Sequence, residues 1–584
     1  MDQQVPNAAG TPGGAYPWLA FYPPGVPATI ESPPYEFLGE LAADLAARKP
    51  MARAFTTVMP NGMAASLNFA EVNRYSDDFA AYLREILLLE PGARVAIQIP
   101  NGLPYPIVAF GVFKAGCVLV NVNPLYTAHE MIQLFKDAEP AAIVAIDMFA
   151  DKLAAALKQA PIPNIILTEA ASLFPTGSRW LISFVQKYVK KEVPVPRFRH
   201  TAFAKTVALG AARIRAGARV KAYSEGLTPS AVACLQYTGG TTGVNKGAML
   251  THRNLIMNVA QFLTFHGDNM RESDHVLTVL PLYHIFAFTA NMLGFFVRGA
   301  HNVLIPSPRP LTNLRKAFER EPITFIAGVN TLFNGLLNSP WFAKNPPRSL
   351  RISVAGGMAL QATVAKRWQK VTGTKVIEGY GLTEASPVLT CNPAERAKLT
   401  SIGLPLPSTE IKCVDDQGRV VAVGQPGEII ARGPQVMPGY WKQPGETSNV
   451  LRDGWLYTGD IGKMDAEGYF SVVDRRKDMI DVSGFKVFPN EVEEVLASLP
   501  GVKECAVISV PDAATGEAVK AFIVRGDPAL DGGMVRDFCR RELASYKVPK
   551  FVEFREDLPK SNVGKILRRE LREKPSASAS KCKS

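Results

Sequence analysis

The chain has 584 residues, 47% hydrophobic and 20% charged, with a formal net charge of +12. That length exceeds what one hydrophobic core serves, and that composition excludes an intrinsically disordered chain. Seven cysteines, odd in number and without a CxxC pair, argue against a disulfide framework or a cysteine zinc site. Residues 1–30 are rich in Gly, Pro and Ala and lack a basic region followed by an apolar core. They read as a flexible terminus and not a signal peptide. A strand is expected over 94–99, a helix over 105–115, a strand over 117–121, a helix over 128–137 and a further strand within 137–145. Strands separated by helices imply parallel α/β layers. In 179–191, Trp180, Leu181, Phe184, Val185 and Tyr188 recur at helical spacing beside Lys187, Lys190 and Lys191. That pattern suits a helix touching an anionic membrane, or one packed on the main domain. Residues 276–297 carry no Asp, Glu, Lys or Arg and are long enough to span a bilayer. Pro281 and His284 instead suggest a buried strand, a turn and a buried helix. Pro306 to Pro310 marks a surface connection, and 402–431 reads as short β runs broken by Gly and Pro.

The charged run Asp474-Arg-Arg-Lys-Asp478 is placed as the main boundary. The remaining ~110 residues suit one small α+β domain. Its helix is expected after Pro489-Asn490, with Glu491, Glu493 and Glu494 near its positive end. The resulting map is 1–30 flexible, 31–473 main domain, 474–478 hinge, 479–573 small domain and 574–584 disordered. Residues 541–584 hold 12 Lys/Arg against 6 Asp/Glu, a surplus of +6 and half the net charge. Such a balance suits nucleotides or an anionic membrane face. No nucleic-acid motif accompanies it, so nucleic acid is not an expected partner.

Thr238-Gly-Gly-Thr-Thr-Gly-Val-Asn-Lys-Gly247 follows the strand-like run 231–237. Four glycines let backbone amides approach an anion, three threonines add hydroxyls, and Lys246 adds charge. This is the chemistry of a polyphosphate cradle. It is not a Walker A loop, because Lys246 precedes Gly247 and Ala248 rather than Ser or Thr.

Further motifs follow in order: Tyr380-Gly-Leu-Thr-Glu384, Tyr457-Thr-Gly-Asp460, Asp474-Arg-Arg-Lys-Asp478, Ser483-Gly-Phe-Lys-Val-Phe-Pro-Asn-Glu-Val-Glu493 and Pro559-Lys-Ser-Asn-Val-Gly-Lys565. Over residues 30–573 the chain resembles the adenylate-forming superfamily of acyl-CoA synthetases, peptide-synthetase adenylation domains and luciferases. Within it, Leu280-Pro-Leu-Tyr-His-Ile-Phe286, Gly328-Val-Asn-Thr-Leu-Phe333 and Gly433-Pro-Gln-Val-Met-Pro-Gly-Tyr-Trp441 resemble bacterial long-chain fatty acid–CoA ligases most. The resemblance implies an α/β fold: a large N-terminal adenylation domain of parallel layers plus a distorted β subdomain, and a small mobile α+β lid. It implies an ATP-dependent ligase that forms an acyl-adenylate and then a thioester. ATP, Mg²⁺ and CoA are the expected cofactors and co-substrates. The expected partners are a long-chain fatty acid, CoA, an anionic membrane surface and a second copy of the chain. The expected place is the cytoplasm, peripheral on the inner membrane face. A medium-chain or aryl acid–CoA ligase, or an enzyme loading a carrier protein, stays open. Intact Lys565, Glu384 and Asp460 oppose a non-catalytic acyl-binding protein.

Acid activation must hold the β- and γ-phosphates, place Mg²⁺, fix adenosine and put positive charge at the α-phosphate. Thr238, Gly239, Gly240, Thr241, Thr242 and Lys246 suit the first task, with Gly381 and Thr383 nearby. Glu384 offers a hard oxygen to Mg²⁺. Tyr380 can stack on adenine against Gly356 and Gly357. Asp460 can accept from ribose hydroxyls, and Arg475 can donate to the same sugar. By resemblance, Lys565 bridges carboxylate and α-phosphate, and His284 lies between acyl tunnel and phosphate. Likewise Phe288 gates the acyl tunnel beside Gly328, Lys477 is the hinge, and Ser483, Gly484 and Phe485 face the CoA thiol. Three positions depart from the family pattern. Asn245 replaces Pro or Ala, Asp481 an apolar residue and Lys486 a neutral one. The last two put CoA affinity in doubt.

Overall fold

The computed structural model describes residues 16–239, 245–561 and 563–572. Strands Val232–Gly239, Val118–Asn121, Arg94–Gln98, Ala142–Ile146, Asn164–Thr168 and Thr201–Ala202 lie side by side and parallel. Asn245–Thr251 and Gly439–Tyr440 extend that sheet antiparallel to eight strands. Four of the five elements expected between 94 and 145 fall within a residue or so of their places, and the strand sought within 137–145 occupies Ala142–Ile146.

A second sheet has nine strands. Its centre is parallel: Val376–Gly381, Ile352–Ala355, Phe325–Gly328, His275–Thr278, His301–Leu304 and Arg53–Val58. One apolar core joins both sheets. Helix Pro104–Lys114 is buried along its whole length, with Tyr105, Phe110 and Phe113 inside. Such a helix reads as continuously hydrophobic because both sides meet protein.

The segment 276–297 divides as expected into strand His275–Thr278, a turn, and the buried helical stretch Ala287–Gly294 and Phe295–Arg298. Among the described residues, no helix is long and apolar enough to cross a membrane. The β subdomain is larger than 402–431. Glu410–Val414, Gly427–Arg432, Trp455–Met464, Leu451–Arg452 and Phe470–Arg475 form an antiparallel sheet reaching the boundary.

The N-terminal expectation needs correction from residue 16 onward. Trp18 is buried against Phe470, and the Tyr22 hydroxyl donates to the Pro405 carbonyl at 2.7 Å. Burial of an aromatic side chain stabilises by about 1.5–3 kcal/mol, which is enough to dock a strap that composition alone reads as loose.

After the boundary, Phe485–Val487, Ile480–Val482, Gly516–Arg525, Val502–Asp512 and Phe551–Arg555 form a separate five-stranded sheet. Val492, Leu496 and Val535 from helices Pro489–Ser498 and Gly532–Glu542 complete its own core. The first of these helices includes Pro489 and Asn490 rather than following them. Proline suits the first turn because its missing N–H would have no helical partner there. Glu493 is also not a solvated helix-end acid. It is half-buried and accepts from the Arg568 guanidinium at 2.8 Å.

Candidate active site

The Gly/Thr loop joins a β hairpin. Thr238 lies directly opposite Lys246, and Gly239 opposite Asn245. Gly240, Thr241 and Thr242 lie outside the described residues. The Lys246 ammonium pairs with the Glu446 carboxylate and sits 5.5 Å from the centre of the Tyr440 ring. The Tyr440 hydroxyl donates to Glu384 Oε1 at 2.6 Å. Burial, and then the Glu384 charge, push the Tyr440 phenol well above its ordinary range, so it stays a donor. Glu384 and Lys246 therefore meet across one tyrosine.

Strand Val376–Gly381 carries the next group. A Cβ at Gly381 would come within 1.9 Å of the Pro387 carbonyl oxygen, so only glycine lets the two segments pass. Thr383 and Glu384 follow in a 3₁₀ turn. The Tyr380 hydroxyl donates to Asp460 Oδ2 at 2.7 Å, and Arg475 Nε lies 3.3 Å from Asp460 Oδ1. Asp460 and Arg475 are cross-strand partners, which explains why residues 15 apart in sequence share one site. Gly356 and Gly357 follow strand Ile352–Ala355, and Gly357 holds φ +77°. Gly356 N–H donates to the Gly328 carbonyl at 3.2 Å, so these glycines gather at the C-terminal ends of adjacent parallel strands. That edge is where open α/β sheets take ligands.

Lys565 arrives from the small domain. Gly564, at φ +84°, packs on Thr331, whose hydroxyl donates to the Gly564 carbonyl at 2.9 Å. Burial first, then the positive charge of Arg475, pull Lys565 down to about 7. The Asp460 charge opposes that shift. His284 Nδ1 accepts from the Phe286 N–H at 3.3 Å, and burial, followed by the charge of Lys565, pulls His284 down to about 4. His284 is therefore neutral, with Nε2–H as its donor. It suits donation to an oxyanion rather than general base work.

The structure thus brings together Lys565, His284, Asp460, Arg475 and Tyr380, and separately Lys246, Tyr440 and Glu384. It does not bring Ser483, Gly484 and Phe485 to them. Ser483 and Gly484 are the two loop residues of a hairpin, at φ 53° and 87°, as a type I′ turn requires. Phe485 stacks on Tyr546 at 4.9 Å, within the small domain. Asp481 and Lys486 pair across the same hairpin at 2.6 Å, and Asp481 also accepts from the Gly484 N–H. Phe288 is fully buried beside Phe113. A cleft of about 370 Å³ between the two domains is lined by Val329, Leu332 and Gly564 but not by Phe288 or Gly328.

Four residues of this region escaped the sequence reading. Tyr440 and Glu446 are polar links whose partners lie 56 and 200 residues away. Glu378 is a buried carboxyl, pushed up to about 8 by desolvation. Arg568 bonds Glu493 at 2.8 Å and lies 3.3 Å from Asp474 and 3.5 Å from Asp478. Within the boundary run, Asp474 and Asp478 are buried around that guanidinium. Lys477 lies between them in the 3₁₀ turn Arg476–Asp478.

Residues 43–441 match the AMP-binding enzyme family, and residues 491–565 match the AMP-binding enzyme C-terminal domain. The chain belongs to this family. A long-chain-fatty-acid–CoA ligase of Escherichia coli O157:H7 is 46% identical over 558 residues, covering 95% of this chain and 98% of that protein. The ligase of the same description from Bacillus subtilis (strain 168) is 38% identical, with 95% and 98% coverage. Among solved structures, ATP-bound MatB from Rhodopseudomonas palustris aligns with a TM-score of 0.77 at 28% identity, covering 92% of this chain and 98% of that one.

Proposed function

We propose that this AMP-binding enzyme is an ATP-dependent long-chain fatty acid–CoA ligase. The observation that carries the reading is the convergence of Lys565, neutral His284 and the Tyr380–Asp460–Arg475 chain, with relatives of that activity along the whole length. In the first step a carboxylate oxygen attacks the α-phosphorus of ATP, and pyrophosphate leaves with the bonding electrons. In the second the CoA thiolate sulfur attacks the acyl carbonyl carbon, and AMP leaves. Lys565 supplies positive charge where it develops at the α-phosphate. The His284 Nε2–H can donate to the same oxygens. Asp460 and Arg475 hold the ribose, Tyr380 covers adenine against Gly356 and Gly357, and Lys246 leaves Glu446 for the terminal phosphates. Oleate-dependent pyrophosphate release, measured with and without CoA, tests this reading. CoA-independent product on a carrier protein would overturn it, and preference for short or aryl acids across a chain-length panel would move it to the alternative ligase.

Mg²⁺ fits the same site. Glu384 is a hard-oxygen donor with one oxygen committed to Tyr440, next to a phosphate-loop lysine. Glu384 would hold the ion, which when bound neutralises phosphate charge. Glu384→Ala is expected to lower turnover by roughly 10²-fold or more. It should also abolish the Mg²⁺-dependent part of the thermal shift given by ATP, while the free protein still unfolds cooperatively with a melting point lowered only by the lost Tyr440 hydrogen bond. Wild-type Mg²⁺ dependence in both assays would remove Glu384 as the ligand.

We also propose peripheral membrane contact through helix Thr176–Phe184 and its continuation Val185–Val189. Trp180, Phe184 and Tyr188 form an outward ladder with ring spacings of 5.4 and 5.3 Å. Trp180 is 67% and Tyr188 69% exposed. The lysines contribute less than the sequence suggests, because Lys187 pairs with Glu169 at 2.9 Å and Lys190 with Glu192 at 3.6 Å. Apolar area carries the contact instead. Trp180→Ser with Phe184→Ser is expected to cut sedimentation with anionic vesicles several-fold, and the Trp180 emission of the parent should shift to the blue on binding. Unchanged sedimentation would refute the contact.

A further inference from the structure

At the opposite end of the nine-stranded sheet, where parallel strands begin, three ligand-type side chains face one another. His275 and His301 are paired residues opening strands His275–Thr278 and His301–Leu304. Glu321 follows helix Arg315–Arg320. His275 Nδ1 lies 3.2 Å from His301 Nδ1 and 3.4 Å from Glu321 Oε2, and His301 Nδ1 lies 3.9 Å from that same oxygen. Ligand–ligand edges of a tetrahedral zinc site with bonds near 2.0–2.1 Å are about 3.4 Å. Two of the three edges match that face, and the third, from His301 to Glu321, must close by about half an ångström for the donors to share one ion. No other group of three His, Cys, Asp or Glu donors approaches so closely among the described residues.

The surroundings fit ligation. His301 Nε2 lies 2.6 Å from Thr56 Oγ1, which in turn lies 2.7 Å from Ser66 Oγ. With Nε2–H donating to Thr56, the Nδ1 lone pair points inward. Outer hydrogen bonds of this kind fix the tautomer of metal-bound histidines. Arg53 Nη1 donates to Glu321 Oε1 at 2.9 Å and turns Oε2 toward the imidazoles. His301 and Glu321 are buried, whereas the His275 side chain is 21% exposed, which leaves an entry path and a fourth position. Arg53, and Arg320 with its Nε 3.8 Å from Glu321 Oε1, oppose a cation and set the affinity below that of a four-ligand site.

We propose that His275, His301 and Glu321 bind one zinc-class transition-metal dication, remote from adenylation, which ties the two strands to the end of helix Arg315–Arg320. Two nitrogens and one carboxylate with an open position select Zn²⁺, Co²⁺ or Ni²⁺ over Mg²⁺. Binding only the folded state raises stability by mass action.

The test uses full-length, chelator-stripped, untagged protein without ATP, titrated with Co²⁺ and separately with Zn²⁺. One equivalent of Co²⁺ should give visible ligand-field bands without a thiolate charge-transfer band, and Zn²⁺ should raise the melting temperature. His275→Gln, at the exposed ligand, and Glu321→Gln should each weaken Co²⁺ binding at least about tenfold. His275→Gln should keep pyrophosphate exchange, which shows that it folds. Absence of stoichiometric binding, a thiolate band, or unchanged binding in His275→Gln would each overturn the proposal.

Discussion

Lys565→Ala is expected to lower acid-dependent ATP–pyrophosphate exchange by about 10²–10³-fold, the loss typical of removing one preorganised charge from an oxyanion site. Thioester formation from supplied acyl-adenylate should stay near wild type. In the proposed mechanism the lysine acts where negative charge develops at the α-phosphate, and that step is already complete in the supplied intermediate. The structure adds a pH signature. In the free enzyme Lys565 is pulled down to about 7 by burial and by Arg475. Its charged form, the useful one, therefore dominates below about pH 7 and is lost as pH rises. kcat/KM for ATP, which reports free-enzyme groups, should fall through that value. Bound triphosphate favours the ammonium, so the fall in kcat should lie at higher pH. Lys565→Arg, charged throughout, should lose the limb. Equal loss of both half-reactions in Lys565→Ala would remove the assignment.

Lys477→Pro should act in the opposite sense: pyrophosphate exchange within a few-fold of wild type, and single-turnover thioester formation down by more than about tenfold. Lys477 sits in a 3₁₀ turn, where φ near −60° is already what proline imposes. The observed arrangement, with Lys565 seated at the site, therefore tolerates the ring. The cost is a mild one at Arg476, since a residue before proline avoids helical angles. Rotation of the small domain needs a large change at boundary residues, and proline removes the φ part of it. The contacts that such a rotation must break or carry with it are identifiable. Asp474, before the turn, accepts from the Asn490 N–H at 2.7 Å and lies 3.3 Å from Arg568, while Arg572 reaches Asp478 at 3.1 Å. Thioester formation at the wild-type rate would show that the hinge lies elsewhere.

Much of the fold was legible in order along the chain. Strands such as Arg94–Gln98 and Val118–Asn121 are buried on both faces, so their apolar runs announce them. Short motifs were legible where glycine at position 381 and the Ser-Gly hairpin at 483–484 answer to backbone demands that few residues meet, although the structure leaves that hairpin away from Lys565 and Asp460. The strap at 16–30 was not legible. Its composition is that of a loop, and only the β subdomain it lies on makes Trp18 a core residue.

What the sequence determined by itself was every feature whose cause is local: hydrophobic period, turn chemistry, and the order of short polar motifs. What only the tertiary structure decided was the fate of charge. Lys187 reads as a membrane-facing cation, yet Glu169 claims it. Arg568 lies in the basic stretch 541–584, yet its guanidinium is held by buried Asp474 and Asp478 and by Glu493. Glu384 meets Lys246 only through Tyr440, and His275 meets His301 only because their strands lie side by side. The physical reason is the same in each case. A charge in water costs little wherever it stands, whereas a charge out of water needs a partner within a few ångströms. That partner is supplied by whichever distant segment the packed core brings alongside.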